Sequence, residues 1–190
     1  PVYDEFRRAF LERTAALRVG PADTDDLGPV INERQLQNML RALGEAQGRG
    51  VRVLAGGARL RDEAHRDGCY LAPTVLEGAD ADDPISTTEL FGPITCLYRV
   101  DSFAAAVELA NRSPYGLTAC IHTRNIHRAQ RFIDVAQAGV VTVNGGTYGS
   151  EPHMPFGGVK QSGNGTREPG TEAIDIYSHV KDVYLNGDLT

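Results

Sequence analysis

Five consecutive residues, Glu89-Leu90-Phe91-Gly92-Pro93, set a carboxylate two positions ahead of an aromatic ring in a turn that enters a strand-like run. A carboxylate held at such a turn can accept hydrogen bonds from a sugar diol, because its two oxygens match two hydroxyls. The aromatic can pack on a planar ring such as nicotinamide. Taken alone, the pentapeptide favours a plainer alternative, a solvated Glu and a Phe that plugs the core.

A second stretch, Val143 to Glu168, follows an apolar run at Gly139–Val143 and is dense in Gly, with neither a helical nor a strand period. Loops this long inside a domain are functional or disordered. Tyr148, Met154 and Phe156 are apolar, and Pro155-Phe156-Gly157-Gly158 is conformationally demanding, so a structured functional loop is expected. Glycines there permit φ > 0 and close backbone approach. His153, taken alone, reads as a surface histidine. Three cysteines complete the reactive inventory. Cys96 and Cys120 sit in apolar runs and are expected as small buried hydrophobes. Cys69 follows Asp67-Gly68 with no nearby base or positive neighbourhood to activate it. The spacing fits no zinc site.

The 190-residue chain suits one domain with a proper core. A net charge of −6 argues against a general electrostatic grip on nucleic acid or an anionic membrane. No apolar run is long enough for a bilayer and no signal peptide is visible, so a reduced, cytoplasmic compartment is expected. A start at Pro1-Val2-Tyr3, without Met, suggests truncation or processing.

The elements that must position these residues follow from periodicity. Val2, Phe6, Ala9 and Phe10 predict a helix ending near Val19-Gly20, followed by an acidic loop from Pro21 to Pro29. A second helix is expected from Asn32, with Gln35 as its capping-box partner and Leu36, Met39, Leu40 and Leu43 as its apolar face. Strand-like runs follow at 51–55, 70–75 and 94–100, then a helix capped by Asp101 or Ser102 and running through Ala110. Next come a strand at 117–123, a helix at 126–138 and the strand at 139–143. After the Gly-rich loop a short helix, 171–177, and a terminal strand, 180–185, are expected. The alternation predicts an α/β fold with a parallel sheet covered by helices.

The markers also occur in a specific order: Gly28-Pro29, Gly56-Gly57, Glu89-Leu90-Phe91-Gly92-Pro93, Ala110-Asn111, Tyr115-Gly116-Leu117, Val143-Asn144, Pro155-Phe156-Gly157-Gly158-Val159-Lys160 and Ser162-Gly163-Asn164-Gly165. In that order the chain resembles the C-terminal part of the NAD(P)-dependent aldehyde dehydrogenase superfamily, over nearly all of its length. The resemblance implies a parallel-sheet catalytic domain with helices on both faces. Residues 1–178 would be its latter part, and 179–190 a C-terminal oligomerisation strand and tail.

It further implies oxidation of an aldehyde or semialdehyde to the carboxylic acid with NAD or NADP in the intact enzyme, working as a homo-oligomer (dimer or tetramer). Glu89 would bind the nicotinamide ribose, Phe91 would pack beside the nicotinamide, and Gln35 matches a position that contacts the adenosine ribose. Helix capping accounts for Gln35 equally well. The loop from Gly145 to Phe156 matches the family's aldehyde-binding loop, making Tyr148 and Phe156 pocket walls and Ser150, Glu151 and His153 specificity contacts. In that family the nucleophilic Cys lies in a Gly-Gln-x-Cys stretch upstream of the helix with which this chain begins, and no such stretch occurs in these residues. The chain alone is therefore expected to be inactive. The extra residue in Gly165-Thr166-Arg167-Glu168 and the His153-Met154-Pro155 approach resemble the ketoglutarate-semialdehyde branch. The alternative from another class is a non-catalytic binding or assembly module derived from the same fold.

Overall fold

Leu36, Met39 and Leu43 recur at helical spacing, and in the computed structural model all three are buried on one face of α2, Glu33–Gly48. Burying each such side chain contributes about 1.5–3 kcal/mol. Leu40, at the margin of the stripe, is only partly buried. The structure describes residues 2–149 and 151–187, which divide into two units between Ala106 and Val107.

In the first unit, α1 spans Tyr3–Ala15 and is followed by α2 and a three-stranded sheet. The sheet is ordered β1 (Arg52–Ala55), β2 (Thr74–Glu77), β3 (Ile94–Leu97). β2 is central and buried at all four positions, pairing parallel with β3 and antiparallel with β1. The sheet is thus mixed, with β1 as an antiparallel edge. Leu76 of β2 joins Leu36, Met39, Leu43, Val51 and Leu71 in the core.

Three expectations are corrected here. α1 ends at Ala15 rather than near Val19-Gly20, because the next amides are claimed locally: Arg18 N donates to Asp26 Oδ2 at 2.8 Å and Gly20 N to Leu27 O at 3.0 Å. The strand expected at 70–75 begins at Thr74 and runs to Glu77, since the backbone of 70–72 pairs instead with 58–60. Glu77 masked the strand's end, because a carboxylate breaks an apolar run. A short helix, α3 (Pro84–Thr87), was not anticipated; Asp83 caps it by accepting from Ile85 N at 2.9 Å, with Pro84 in the first turn.

α4, Phe103–Arg112, contains the boundary between the units, and Ser102 rather than Asp101 caps it, accepting from Ala105 N at 3.1 Å. The second unit then holds β4 (Tyr115–Gly116), β5 (Thr118–Ile121), α5 (Ile126–Val135), β6 (Val140–Val143), β7 (Val159–Lys160) and α6 (Ala173–Tyr177). β5 and β6 pair parallel, Thr118 opposite Val140 through Ile121 opposite Val143, and β4 pairs antiparallel with β7. α5 stops at Val135, short of Ala138, because Gln137 N donates to Asn111 Oδ1 at 2.9 Å and Gly139 N to Gly116 O at 3.0 Å.

One further expectation fails and another is not shown. Cys120 is exposed, not buried, although the other residues of β5 are half-buried. Residues 180–185 form no strand among the described residues, and Val180, Val183, Tyr184 and Leu185 are all exposed. A strand needs a backbone partner, and this segment has none within the described chain. Among the described residues no helix is long and apolar enough to cross a membrane. The α/β architecture itself stands.

Candidate functional site

In the first unit the pentapeptide bridges α3 and β3 as a tightly held turn. Phe91 adopts φ +50°, a left-handed conformation unusual for a bulky residue. Its neighbours hold it there. Gln35 Nε2 donates to Leu90 O at 2.6 Å, and Thr74 N to Pro93 O at 2.8 Å. Gly92 lies against α2 so closely that a Cβ would come within 2.5 Å of Met39 Sδ. Phe91 is 76% exposed, so it plugs no core among the described residues.

Beside this turn α2 and α3 enclose a cavity of about 350 Å³, lined by Gln35, Asn38, Arg41, Thr88 and Glu89 among others. Glu89 is exposed, and among the described residues no group hydrogen-bonds its carboxylate. Two of its neighbours are already committed. Arg49 makes a bidentate pair with Asp83, at 2.8 and 2.7 Å, and Gln35 is tied to Leu90. Chemically, this is an open carboxylate and an open aromatic face on a rigid turn at the mouth of a polar cavity.

Gln35 departs from its sequence assignment in part. Asn32 Oδ1 accepts from Gln35 N at 2.9 Å, one half of a capping box. The other half is not made, because the Gln35 side chain reaches across to Leu90 instead. Asn38 and Arg41 share the cavity and were missed from sequence, although they lie three and six positions beyond Gln35, on the same helix face.

The remaining candidates belong to the second unit. The Gly-rich loop is anchored at its ends and open in its middle. Asn144, at φ +56°, clamps the start: its amide donates to Thr123 O at 2.9 Å and accepts from Thr123 N at 2.8 Å. At the far end a Cβ on Gly139 would overlap the carbonyl oxygen of Gly157, and one on Gly158 would overlap that of Ser162. Lys160 Nζ closes this turn on the carbonyls of Asn111 and Ser113 at 2.5 and 2.9 Å. Between the anchors, Tyr148 is 88% exposed, Glu151 and His153 are exposed, and Phe156 is half-buried with its carbonyl accepting from Glu168 N at 2.9 Å. Ser150 lies outside the described residues. Thr166 sits in a turn in which its N–H and hydroxyl both donate to Asn164 Oδ1, at 3.0 and 2.7 Å.

Cys69 lies 3.6 Å from Glu33 Oε2. Partial burial, then the adjacent carboxylate, push its thiol above the usual value, opposite to what a thiolate nucleophile requires. Among the described residues no group of three or more His, Cys, Asp or Glu side chains is placed to hold a metal ion.

Comparison with known proteins decides the family. The aldehyde dehydrogenase family profile matches residues 1–183. The chain belongs to the aldehyde dehydrogenase family. It is 39% identical over 184 residues to an alpha-ketoglutarate semialdehyde dehydrogenase of Haloferax volcanii, covering 96% of this chain and 38% of the relative. To the alpha-ketoglutaric semialdehyde dehydrogenase of Bacillus subtilis it is 34% identical over 186 residues, covering 97% and 38%. Among solved structures, betaine aldehyde dehydrogenase of Staphylococcus aureus in complex with NAD+ superposes with a TM-score of 0.87 at 29% identity, covering 93% of this chain and 35% of that one. This aldehyde dehydrogenase chain therefore spans about 38% of the length of the curated relatives it matches. Within it, Asn111, Asn144, Lys160 and the glycines at 139, 157 and 158 serve backbone geometry. Glu89, Phe91 and the middle of the Gly-rich loop are left facing outward.

Proposed function

We propose that this chain is the latter catalytic-domain segment of a full-length aldehyde dehydrogenase that oxidises an aldehyde, and more specifically a semialdehyde, to its carboxylic acid with NAD or NADP. The observation that carries the reading is the pentapeptide turn: an unengaged carboxylate and a 76% exposed aromatic, both on a backbone held in a strained conformation. Strain of this kind persists only where surrounding contacts over-determine it, and it clusters at functional sites. The residues fit a nicotinamide nucleotide. Glu89 would accept hydrogen bonds from both ribose hydroxyls, Phe91 would pack against the ring, and the polar cavity beside them would take the rest of the sugar. Bound there, the nucleotide supplies the hydride acceptor.

In the same reading Tyr148 and Phe156 wall the aldehyde site, and Ser150, Glu151 and His153 contact the substrate's far end. The thiolate that attacks the aldehyde comes from outside these residues, since Cys69 is held protonated beside Glu33. Semialdehyde specificity is supported by relatives named for alpha-ketoglutaric and succinate semialdehydes, the latter a Mycobacterium tuberculosis enzyme 38% identical over 186 residues. Residues 179–190 serve as the segment through which copies associate, with the exposed apolar side chains at 180 and 183–185 covered by a second copy.

The test is single-turnover hydride transfer in the full-length enzyme with semialdehyde substrates. Glu89→Gln is expected to slow this step by about 100-fold, the scale of a 1 Å misplacement of reacting groups. Transfer at the wild-type rate removes Glu89 from the cofactor site and the reading with it.

A further inference from the structure

Three polar side chains on one face of α2 form a chain of hydrogen bonds that ends on the pentapeptide turn. Arg41 donates to Asn38 Oδ1 at 2.6 Å, Asn38 Nδ2 to Gln35 Oε1 at 3.4 Å, and Gln35 Nε2 to Leu90 O at 2.6 Å. The residues lie at three-residue spacing, so each side chain stands about one turn above the next. The direction of the chain is not arbitrary. A guanidinium can only donate and a backbone carbonyl can only accept. With donor and acceptor fixed at the two ends, each amide between them has one orientation that satisfies both its neighbours.

We propose that this Arg41–Asn38–Gln35 chain is a positioning device for the nicotinamide site, setting the placement of Glu89 and Phe91 through the carbonyl between them. Gln35 then acts as a positioning residue, through its hydrogen bond to Leu90 O. This rests on the reading of Glu89 and Phe91 as cofactor contacts. Phe91 at φ +50° needs restraint on both sides. One side is held by Thr74 N on Pro93 O and by Gly92 against Met39. The other is held by Gln35 on Leu90 O. Releasing Leu90 lets the left-handed residue relax and carries Glu89 with it.

Gln35→Glu tests this with nearly the same shape. A carboxylate cannot donate to Leu90 O, whereas a protonated carboxyl can. The first readout needs no cofactor: exchange of the Ile94 amide, which donates to Gly92 O at 2.8 Å at the exit of the turn. In Gln35→Glu its protection is expected to fall about 10-fold at neutral pH, the loss of one hydrogen bond, and to recover as the pH drops through about 4.3. A simple packing defect would not show that recovery. The second readout is the full-length enzyme, where single-turnover hydride transfer is expected to slow by at least about 10-fold while NAD(P) affinity changes far less.

Arg41→Met, at an exposed position, is expected to shift both readouts in the same direction by a smaller factor, and Arg41→Lys to restore them. Unchanged Ile94 protection in both Gln35→Glu and Arg41→Met overturns the proposal. So does a rate loss in Gln35→Glu that appears entirely as weaker NAD(P) binding, the mark of direct contact. Glu89→Gln run in parallel separates the two ideas. If it fails to slow transfer, the cofactor reading falls; if it slows transfer and Gln35→Glu does not, only the positioning chain falls.

Discussion

Glu77 is the one carboxylate on the buried central strand, and replacing it with Gln tests what holds α1 to the sheet. Its side chain is 11% exposed. Oε1 accepts from the Tyr3 hydroxyl and faces Arg7 Nε at 3.3 Å, and Oε2 accepts from Arg52. Gln keeps the volume and one acceptor but turns the other oxygen into an N–H. Whichever way the amide turns, it meets a donor. Arg52 is 66% exposed, so its ion pair is screened and contributes less than about 1 kcal/mol. The remaining cost is a buried hydrogen-bonding group left facing a donor, about 2 kcal/mol. For a chain of this size that lowers the unfolding midpoint by about 4–8 °C. The chain contains no Trp, so circular dichroism is the natural signal. The hydrogen bond from Tyr3 first, then Arg52 and Arg7, hold the Glu77 carboxyl below its ordinary value, against the effect of burial. A depressed carboxylate stabilises above its unfolded value, about 4.3, and that stabilisation is lost as the pH falls through the lower folded value. The gap between wild type and Glu77→Gln is therefore expected at pH 7 and should close in acid below about pH 4. An unchanged midpoint at pH 7, or a gap that persists undiminished in acid, refutes the argument.

His65 predicts the opposite pH dependence. Its Nδ1 lies 2.7 Å from Asp62 Oδ1 and its Nε2 2.7 Å from Val19 O, so both nitrogens face acceptors and protonation is favoured. The Val19 carbonyl first, then Asp62, raise its value, so its stabilisation is complete below about pH 6.5 and lost as the pH rises through the folded value. In thermal melts the advantage of wild type over His65→Gln should shrink above neutral pH; an advantage that grows there contradicts the assignment. The 190-residue chain by itself is expected to form no NAD(P)H from semialdehydes, and turnover abolished by Cys69→Ser would overturn the exclusion of that thiol. Deleting residues 181–190 is expected to lower the oligomeric mass of the chain by light scattering. A folded, truncated chain of unchanged oligomeric state would refute association through that segment.

Local pattern made some parts of this molecule legible and hid others. The stripe at Leu36, Met39 and Leu43 announces α2 because a surface helix must bury one face, and the structure buries that face. Glu89 and Phe91 were visible as chemistry, but the pentapeptide alone favoured a Phe in the core. What distinguishes the exposed ring is the left-handed backbone at Phe91, imposed by Met39 and Thr74 from distant parts of the chain. Glu77 is not legible as a buried carboxylate in sequence, because only the fold brings Tyr3, Arg7 and Arg52 around it. Gln35 looked like half of a capping box because sequence shows the near partner, Asn32, and not the far one, Leu90. Residues 180–185 carry a strand's composition, but pairing needs a partner that composition does not name.

The most direct test of the cofactor assignment is the structure of the full-length enzyme with NAD(P) bound, read at a single place, the Glu89 carboxylate. Both of its oxygens are expected within hydrogen-bonding distance, about 2.5–3.0 Å, of the two hydroxyls of the nicotinamide ribose, with the Phe91 ring against the nicotinamide and the left-handed turn unchanged. A bound nucleotide whose nicotinamide ribose is held elsewhere, with Glu89 turned to solvent, would contradict the account.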